Sequence, residues 1–333
     1  MGQVSRKLKK YILGIALGIA LMCGKESYAQ YNREYFFWVG RSCMMNNDYQ
    51  EAIRTLNTLL RFDEDAFEGY FLRGIAKYNL DDLLGAEADF STAIRLNPVY
   101  TQAYTYRAIT RSRLGNYDDA LQDFREAIDL RPDLPDAYYS RGYTRLQNKQ
   151  YEEAIEDFDK FIFQENKVAD AYIGRGTAYL YLKDTVRALE NFDQAIRTNR
   201  ENPNGYYQRG TLLLQKEEYA RAEADFDMSI RCDSAFLPPY FNRAVVYSNT
   251  NRPMQALADF DRVLQLDSTN SFTYFNRAIL RTQIGDYNRA LDDFDRVALY
   301  SPGIVQVYYL RAMLKTRFGD LEGAERDYTQ ARS

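Results

Sequence analysis

Arginine and carboxylate side chains recur in this chain at fixed intervals, and that recurrence is the first place to look for chemistry. Arg73, Arg107, Arg141, Arg175, Arg209, Arg243, Arg277 and Arg311 stand 34 residues apart. Asp89, Asp123, Asp157, Asn191, Asp225, Asp259, Asp293 and Asp327 follow them, each at an offset of 16. A row of arginines can bind anions, but an arginine with a carboxylate at constant offset can also form an internal strut, because a partly buried guanidinium requires a partner. The chain supplies its own control. One interval before Arg73 the residue is Val39, and there the carboxylate is replaced by Thr55. The strut is the preferred reading, and Arg175, opposite Asn191, becomes the one candidate anion contact.

Other chemistry has little to work with. The chain has 0 histidines, which removes imidazole acid–base pairs, His-activated nucleophiles and imidazole metal sites. The acidic pairs Asp118-Asp119, Glu152-Glu153 and Asp292-Asp293 are read as acid-rich helix starts suited to the helix dipole, in preference to metal ligands or catalytic dyads. No phosphate-binding glycine loop, HExxH, nucleophile elbow or CxxC occurs. The expectation is a non-enzymatic chain with no catalytic residue, metal site or cofactor.

The elements that position these residues come from the same period. Tyr70, Tyr104, Tyr138, Tyr172, Tyr206, Tyr240, Tyr274 and Tyr308 recur every 34 residues without a gap. A glycine or alanine follows each ladder arginine, as in Gly74 and Ala108, and later an alanine precedes an aromatic by 4, as in Ala120 and Phe124. Pro98, Pro132 and Pro302 close three units. The tyrosine and small residue lie on one i, i+4, i+7 helical face, Gly115-Asn116 or Gly285-Asp286 signals a turn, and Ala120, Phe124 and Ala127 mark a second helical face. Small residues let two helices approach closely and aromatics fill the space beside them.

This pattern resembles the tetratricopeptide repeat family, with tyrosine where that family has tryptophan and arginine where it has leucine before the small residue. The resemblance covers 33–333, as repeats 33–66, 67–100, 101–134, 135–168, 169–202, 203–236, 237–270, 271–304 and a shorter 305–333. It implies an all-α, right-handed superhelical solenoid of helix-turn-helix repeats, in which units bury their apolar faces by stacking. The last repeat carries Arg332 where the others have Leu60, Ile94, Ile128, Ile162, Ile196, Ile230, Leu264 and Ala298, giving the end of the array a wettable face.

The resemblance also places the residue after each repeat tyrosine on the inner, concave surface. Those positions are Phe37, Phe71, Thr105, Tyr139, Ile173, Tyr207, Phe241, Phe275 and Tyr309, aromatic in seven of the nine. Aromatics bury large area at low entropic cost, so the seven are candidate groove-binding residues for an extended peptide, or for a glycan. The competing reading has rings of neighbouring first helices stacking on each other. The ring-bearing positions carry no lysine, so the carboxylate clamp of chaperone-binding members is not expected.

Charge and the N-terminus set the setting. The 333 residues carry a net charge of -4 with pI near 5.3, which argues against binding a nucleic-acid backbone. Arg6, Lys7, Lys9 and Lys10 precede an apolar run at 11–23, and Ser27-Tyr28-Ala29 offers small residues at a cleavage site. Residues 1–29 read as a signal peptide, the run being shorter than the roughly 20 residues of a membrane span. A retained anchor or lipidation at Cys23 is the weaker alternative, since Met22 is not the small residue a lipoprotein box wants. Cys43 and Cys232 lie in the first and sixth repeats, too far apart for a disulfide on stacked units, and are expected as reduced thiols. The combined expectation is an exported scaffold, periplasmic, envelope-associated or secreted, holding a protein or peptide partner. A carbohydrate-binding or cell-envelope assembly factor is the alternative.

Overall fold

A computed structural model describes residues 25–332. The signal-peptide core at 11–23 lies outside the described residues, and the first helix runs through the expected cleavage position between Ala29 and Gln30. Contacts divide the chain into two compact units, Met1–Glu165 and Asn166–Ser333. The first holds α1 (Lys25–Met45), α2 (Tyr49–Phe62), α3 (Phe67–Asn79), α4 (Leu83–Leu96), α5 (Thr101–Arg113), α6 (Tyr117–Leu130), α7 (Pro135–Gln147) and α8 (Tyr151–Gln164). The second holds α9 (Ala169–Tyr181), α10 (Thr185–Thr198), α11 (Pro203–Gln215), α12 (Tyr219–Cys232), α13 (Pro238–Asn249), α14 (Pro253–Leu266), α15 (Ser271–Gln283), α16 (Tyr287–Tyr300), α17 (Val305–Phe318) and α18 (Leu321–Gln330). No described residue is in a strand. The structure is an all-α array of helix pairs in the expected phase.

Within each unit, every second helix packs on its own first helix and on the first helix of the following repeat. The alanine and aromatic positions of the second helices make the core: Phe90, Phe124, Phe158, Phe192, Phe226, Phe260 and Phe294 are fully buried, each worth about 2–3 kcal/mol by burial. The small residue of the first helix sets the approach distance. A Cβ built on Gly74 would lie 2.6 Å from Cε1 of Phe90. Cys43 packs with Ala52 and Ala76, Cys232 is partly exposed, and the described residues contain no disulfide.

The turns repeat as faithfully as the helices. The N–H two residues past each first-helix C-cap reaches back six-to-one, as from Asn116 to the Arg111 carbonyl (2.9 Å), Glu218 to Leu213 (2.9 Å) and Asp286 to Arg281 (2.8 Å). Between them the chain takes a left-handed residue. Gly115, Gly285 and Gly319 supply it without steric cost, whereas Asn47, Asp81, Lys149, Lys183, Glu217 and Asn251 hold φ of 57–64°. Asp48, Asp82, Asp184 and Asp320 then cap the second helices by accepting from the backbone N–H three residues on.

The acidic pairs sort differently from the sequence expectation. Asp118-Asp119 and Glu152-Glu153 do lie in first turns. Asp292-Asp293 instead lies in the middle of α16, with Asp293 buried as the partner of Arg277.

The strained turns generate a prediction. A left-handed non-glycine residue costs about 1–2 kcal/mol, and glycine returns about 0.5–1 kcal/mol of that as lost chain entropy. Glu217→Gly should therefore raise stability by up to about 1 kcal/mol in urea unfolding, and Asn251→Gly by less, since asparagine tolerates this conformation. A fall in stability for Glu217→Gly would show that its side chain, not the backbone, governs that turn.

Candidate functional site

The first helices carry both features singled out in the sequence: the arginine ladder on the side facing the second helices, and the ring positions beside it. In all seven expected pairs the arginine grips its aspartate with two parallel hydrogen bonds. Arg209 donates from Nε to Asp225 Oδ2 at 2.8 Å and from Nη2 to Oδ1 at 2.6 Å. Arg73–Asp89, Arg107–Asp123, Arg141–Asp157, Arg243–Asp259, Arg277–Asp293 and Arg311–Asp327 repeat this geometry. The aspartates are buried, from 0% exposed at Asp157 to 6% at Asp259. The strut reading holds.

The guanidinium has a further use that the sequence reading missed. Its remaining nitrogen, Nη1, donates backwards to the second helix of the preceding repeat. Arg73 reaches Asn57 (2.7 Å), Arg107 reaches Ser91 (3.0 Å), Arg209 reaches Asp193 (2.6 Å), Arg243 reaches Asp227 (2.5 Å) and Arg311 reaches Asp295 (2.9 Å). Arg277 pairs with Asp261 in the same way. The signal was present as a carboxylate 16 residues before each arginine, visible in the triplets Asp225-Phe226-Asp227 and Asp259-Phe260-Asp261. The first acid of each triplet belongs to its own repeat's arginine and the second to the next repeat's. At the same offset before Arg141 stands Arg125, an exposed cation.

A second cation, four residues after the ladder arginine, shares the buried carboxylate in five repeats: Lys77, Arg111, Arg145, Arg281 and Lys315 lie 2.7–2.9 Å from Asp89, Asp123, Asp157, Asp293 and Asp327. Titration reflects these surroundings. Hydrogen bonds to Asp225 raise the Arg209 guanidinium above its ordinary value against the opposing effect of burial, with Asp193 adding to the rise. Burial lowers Arg145, and neighbouring Arg141 lowers it further, although Asp157 opposes both. Burial pushes the Asp327 carboxyl up, but Arg311 and Lys315 outweigh it and hold the group below the usual range.

Tyrosine in place of tryptophan is explained by the same assembly. The Tyr138, Tyr172, Tyr240, Tyr274 and Tyr308 hydroxyls donate to a connector carbonyl six residues upstream, at 3.1–3.3 Å. Each ring also lies beneath its own ladder arginine, with the guanidinium carbon 5.4–5.7 Å from the centroid. An indole could not close the connector in this way while supporting the cation.

Arg175 is engaged like the others. Its Nε donates to Asn191 Oδ1 at 2.8 Å, Asn191 Nδ2 donates to the Arg187 carbonyl at 2.8 Å, and the guanidinium stacks on Tyr172. The hydrogen bond to the amide takes the place that an outside anion was expected to fill.

The candidate groove rings form a register of their own. They do not stack on rings of neighbouring first helices but lean on the second-helix aromatic 19 residues later: Phe71 on Phe90, Tyr139 on Phe158, Tyr207 on Phe226, Phe241 on Phe260, Phe275 on Phe294 and Tyr309 on Tyr328, with centroids 5.7–6.5 Å apart. Phe71 is a correction to the expectation. Enclosed by Phe90, Tyr100 and Tyr106, it is only 8% exposed and belongs to the core. Phe37, Tyr139, Tyr207, Phe241 and Phe275 are half-buried, and Tyr309 is 54% exposed.

In the second unit these rings belong to an uncharged face. Tyr207, Thr211 and Leu214 on α11, Phe241, Val245 and Ser248 on α13, Phe275, Ile279 and Thr282 on α15, and Tyr309, Met313 and Thr316 on α17 are all partly or fully exposed. Helix α11 touches both α9 and α13, so the face crosses helix boundaries. No group of His, Cys, Asp or Glu that could hold a metal ion occurs among the described residues, and no described helix is long and apolar enough to cross a membrane.

Breaking one strut should be costly. Asp225→Ala leaves the Arg209 cation with one acceptor fewer at a largely buried position and should lower stability by about 3–5 kcal/mol, while Asp225→Ala with Arg209→Leu should recover much of it. If both variants unfold in urea like the parent chain, the pair contributes nothing to stability.

Comparison with known proteins agrees with this architecture. A family model described as TPR repeat matches 111–149, and one described as tetratricopeptide repeat matches 40–101 and 173–235. No curated protein sequence matches the chain significantly. Among solved structures, a tetratricopeptide repeat protein from Parabacteroides merdae is 19% identical over 74% of this chain and 98% of its own, with TM-score 0.57. Cut9–Hcn1 of the APC/C gives 12% identity over 80% of this chain and 52% of its own, with TM-score 0.60. Pseudomonas aeruginosa pilF gives 18% over 63% and 96%, with TM-score 0.55. With the nine-fold register, the helix pairs and the buried alanine–aromatic spine, these matches establish that the chain belongs to the tetratricopeptide repeat family.

Proposed function

We propose that the protein is an exported, non-enzymatic scaffold whose second unit binds an extended polypeptide along the uncharged face running from Tyr207 to Thr316. The observation that carries this reading is the segregation of charge. The ladder arginines and their aspartates neutralise one another between the helices, while the exposed side of α11, α13, α15 and α17 presents rings, aliphatic chains and hydroxyls. Such a face recognises apolar side chains on a backbone of moderate polarity. A polypeptide suits it better than a glycan because the hydroxyl donors are already committed: Thr211, Ser248, Thr282 and Thr316 each donate to a carbonyl four residues back in their own helix.

Export rests on the basic start and the apolar run at 11–23 followed by Ser27-Tyr28-Ala29. Sequencing the mature protein from its native host should give Gln30 as the first residue. A start at Met1, or a lipid-modified Cys23, would contradict export by cleavage at this site.

Binding is tested by selecting peptides from a random library on the full chain. Bound peptides should be rich in apolar residues, and their affinity should change little between about 50 and about 500 mM salt. Val245→Glu with Gln283→Glu should weaken binding at least about tenfold with the helical signal unchanged. Selected peptides that are charged and salt-sensitive, or that bind this variant as well as the parent, would overturn the reading.

A further inference from the structure

In the interior repeats the space beside the first-helix ring is closed by one side chain, the N-cap residue of the next first helix, which stands 29 positions later. Tyr100 lies edge-on to Phe71 with centroids 4.9 Å apart, and Phe236 edge-on to Tyr207 at 5.4 Å. Leu134, at the same offset from Thr105, is buried with Ala108 and Phe124. Ile304, at that offset from Phe275, packs into the core around Phe294. These plugs share a chemistry: an aliphatic or aromatic residue in extended or near-extended backbone, followed at once by a helix. Leu134 (φ −94°, ψ 93°) precedes α7 and Ile304 (φ −83°, ψ 89°) precedes α17.

Beside Tyr309 no described residue plays this part. The space there is an apolar cavity of about 380 Å³ lined by Phe275, Val305, Gln306, Tyr309, Leu310 and Ala331. It continues the packing interface that joins each repeat to the next, which fixes the kind of side chain that completes it. The rest of that interface is not offered. Arg332 is exposed where Ala298 and Leu264 help to seat the following helix, so a whole repeat of a second copy would bury that cation on docking. A single side chain on a short segment reaches the cavity without covering it.

We propose that this cavity receives one aliphatic or aromatic side chain of a partner polypeptide, at a position immediately preceding a helical turn. The proposal deepens the polypeptide-binding reading above and rests on it: the cavity anchors one end of the segment that crosses the uncharged face.

The probe is a fluorescent peptide of residues 128–141, which carries Leu134 and Pro135 in their natural order. The full chain should bind it saturably, and a Leu134→Ser peptide should bind at least about tenfold more weakly. Val305→Glu and Gln306→Arg, both at exposed positions, should each weaken the parent peptide by a similar factor with helical signal and melting unchanged, while Val245→Glu should alter it less than about twofold. No saturation up to about 1 mM, or equal binding to parent and Val305→Glu chains, overturns the cavity as the site. Equal binding to Val305→Glu combined with loss in Val245→Glu overturns it while leaving the uncharged face intact. Concentration-dependent self-association abolished by Val305→Glu in sedimentation equilibrium would assign the cavity to a second copy and overturn the proposal.

Discussion

A guanidinium between two packed helices has more donors than one carboxylate can accept, and the array is organised around placing them. Two nitrogens of each ladder arginine take the aspartate of the same repeat, which fixes the second helix against the first. In the repeats from Arg209 onward, the third nitrogen takes a carboxylate of the repeat before. One side chain thereby sets both the geometry within a repeat and the step to its neighbour. A cation so placed loses its hydration on folding, so removing either acceptor leaves a deficit that hydrophobic packing does not repair. A single inserted residue between arginine and acid would rotate one of them off its helical face, which explains in physical terms why the period is kept without gaps.

Around that strut the other recurrent residues take their places. The tyrosine lies under the guanidinium and ties down the connector through its hydroxyl. The glycine or alanine beside the arginine admits the second-helix phenylalanine, as at Gly74 and Phe90. That phenylalanine in turn supports the ring on the exposed side of the first helix. The binding-face rings are thus held by the core, which pre-organises them and couples any substitution there to stability. Because charge is consumed inside, the exposed side of the second unit is free to be uncharged, and the proposed polypeptide-binding role follows from that division.

Much of this was legible in the sequence for one reason: nine copies of a unit make each position its own control. The Arg–Asp pairing could be read because both partners vanish together at Val39 and Thr55. The backward bond to Asp193 or Asp227 was not read, because a second acid beside a buried phenylalanine looks like an ordinary solvated helix position until the next repeat is stacked on it. Asp292-Asp293 was misplaced for a related reason, adjacency suggesting a helix start where helical phase sends one acid inward. The ring positions were located correctly, but their depth was not, since Phe71 owes its burial to Tyr100 and Tyr106 in the following repeat. Asn191 kept Arg175 within its repeat through a hydrogen bond that an amide supplies almost as well as a carboxylate.

The central claim is that the third guanidinium nitrogen couples successive repeats. It is tested most directly by urea unfolding of a chain in which Asp193, Asp227, Asp261 and Asp295 are all changed to asparagine, leaving every strut within a repeat intact. If the backward bonds couple the repeats, the transition of this variant broadens or splits and its dependence on urea falls, as expected when neighbouring units of a solenoid unfold more independently. A transition as steep as that of the parent chain, merely displaced along the urea axis or not displaced at all, would contradict the account.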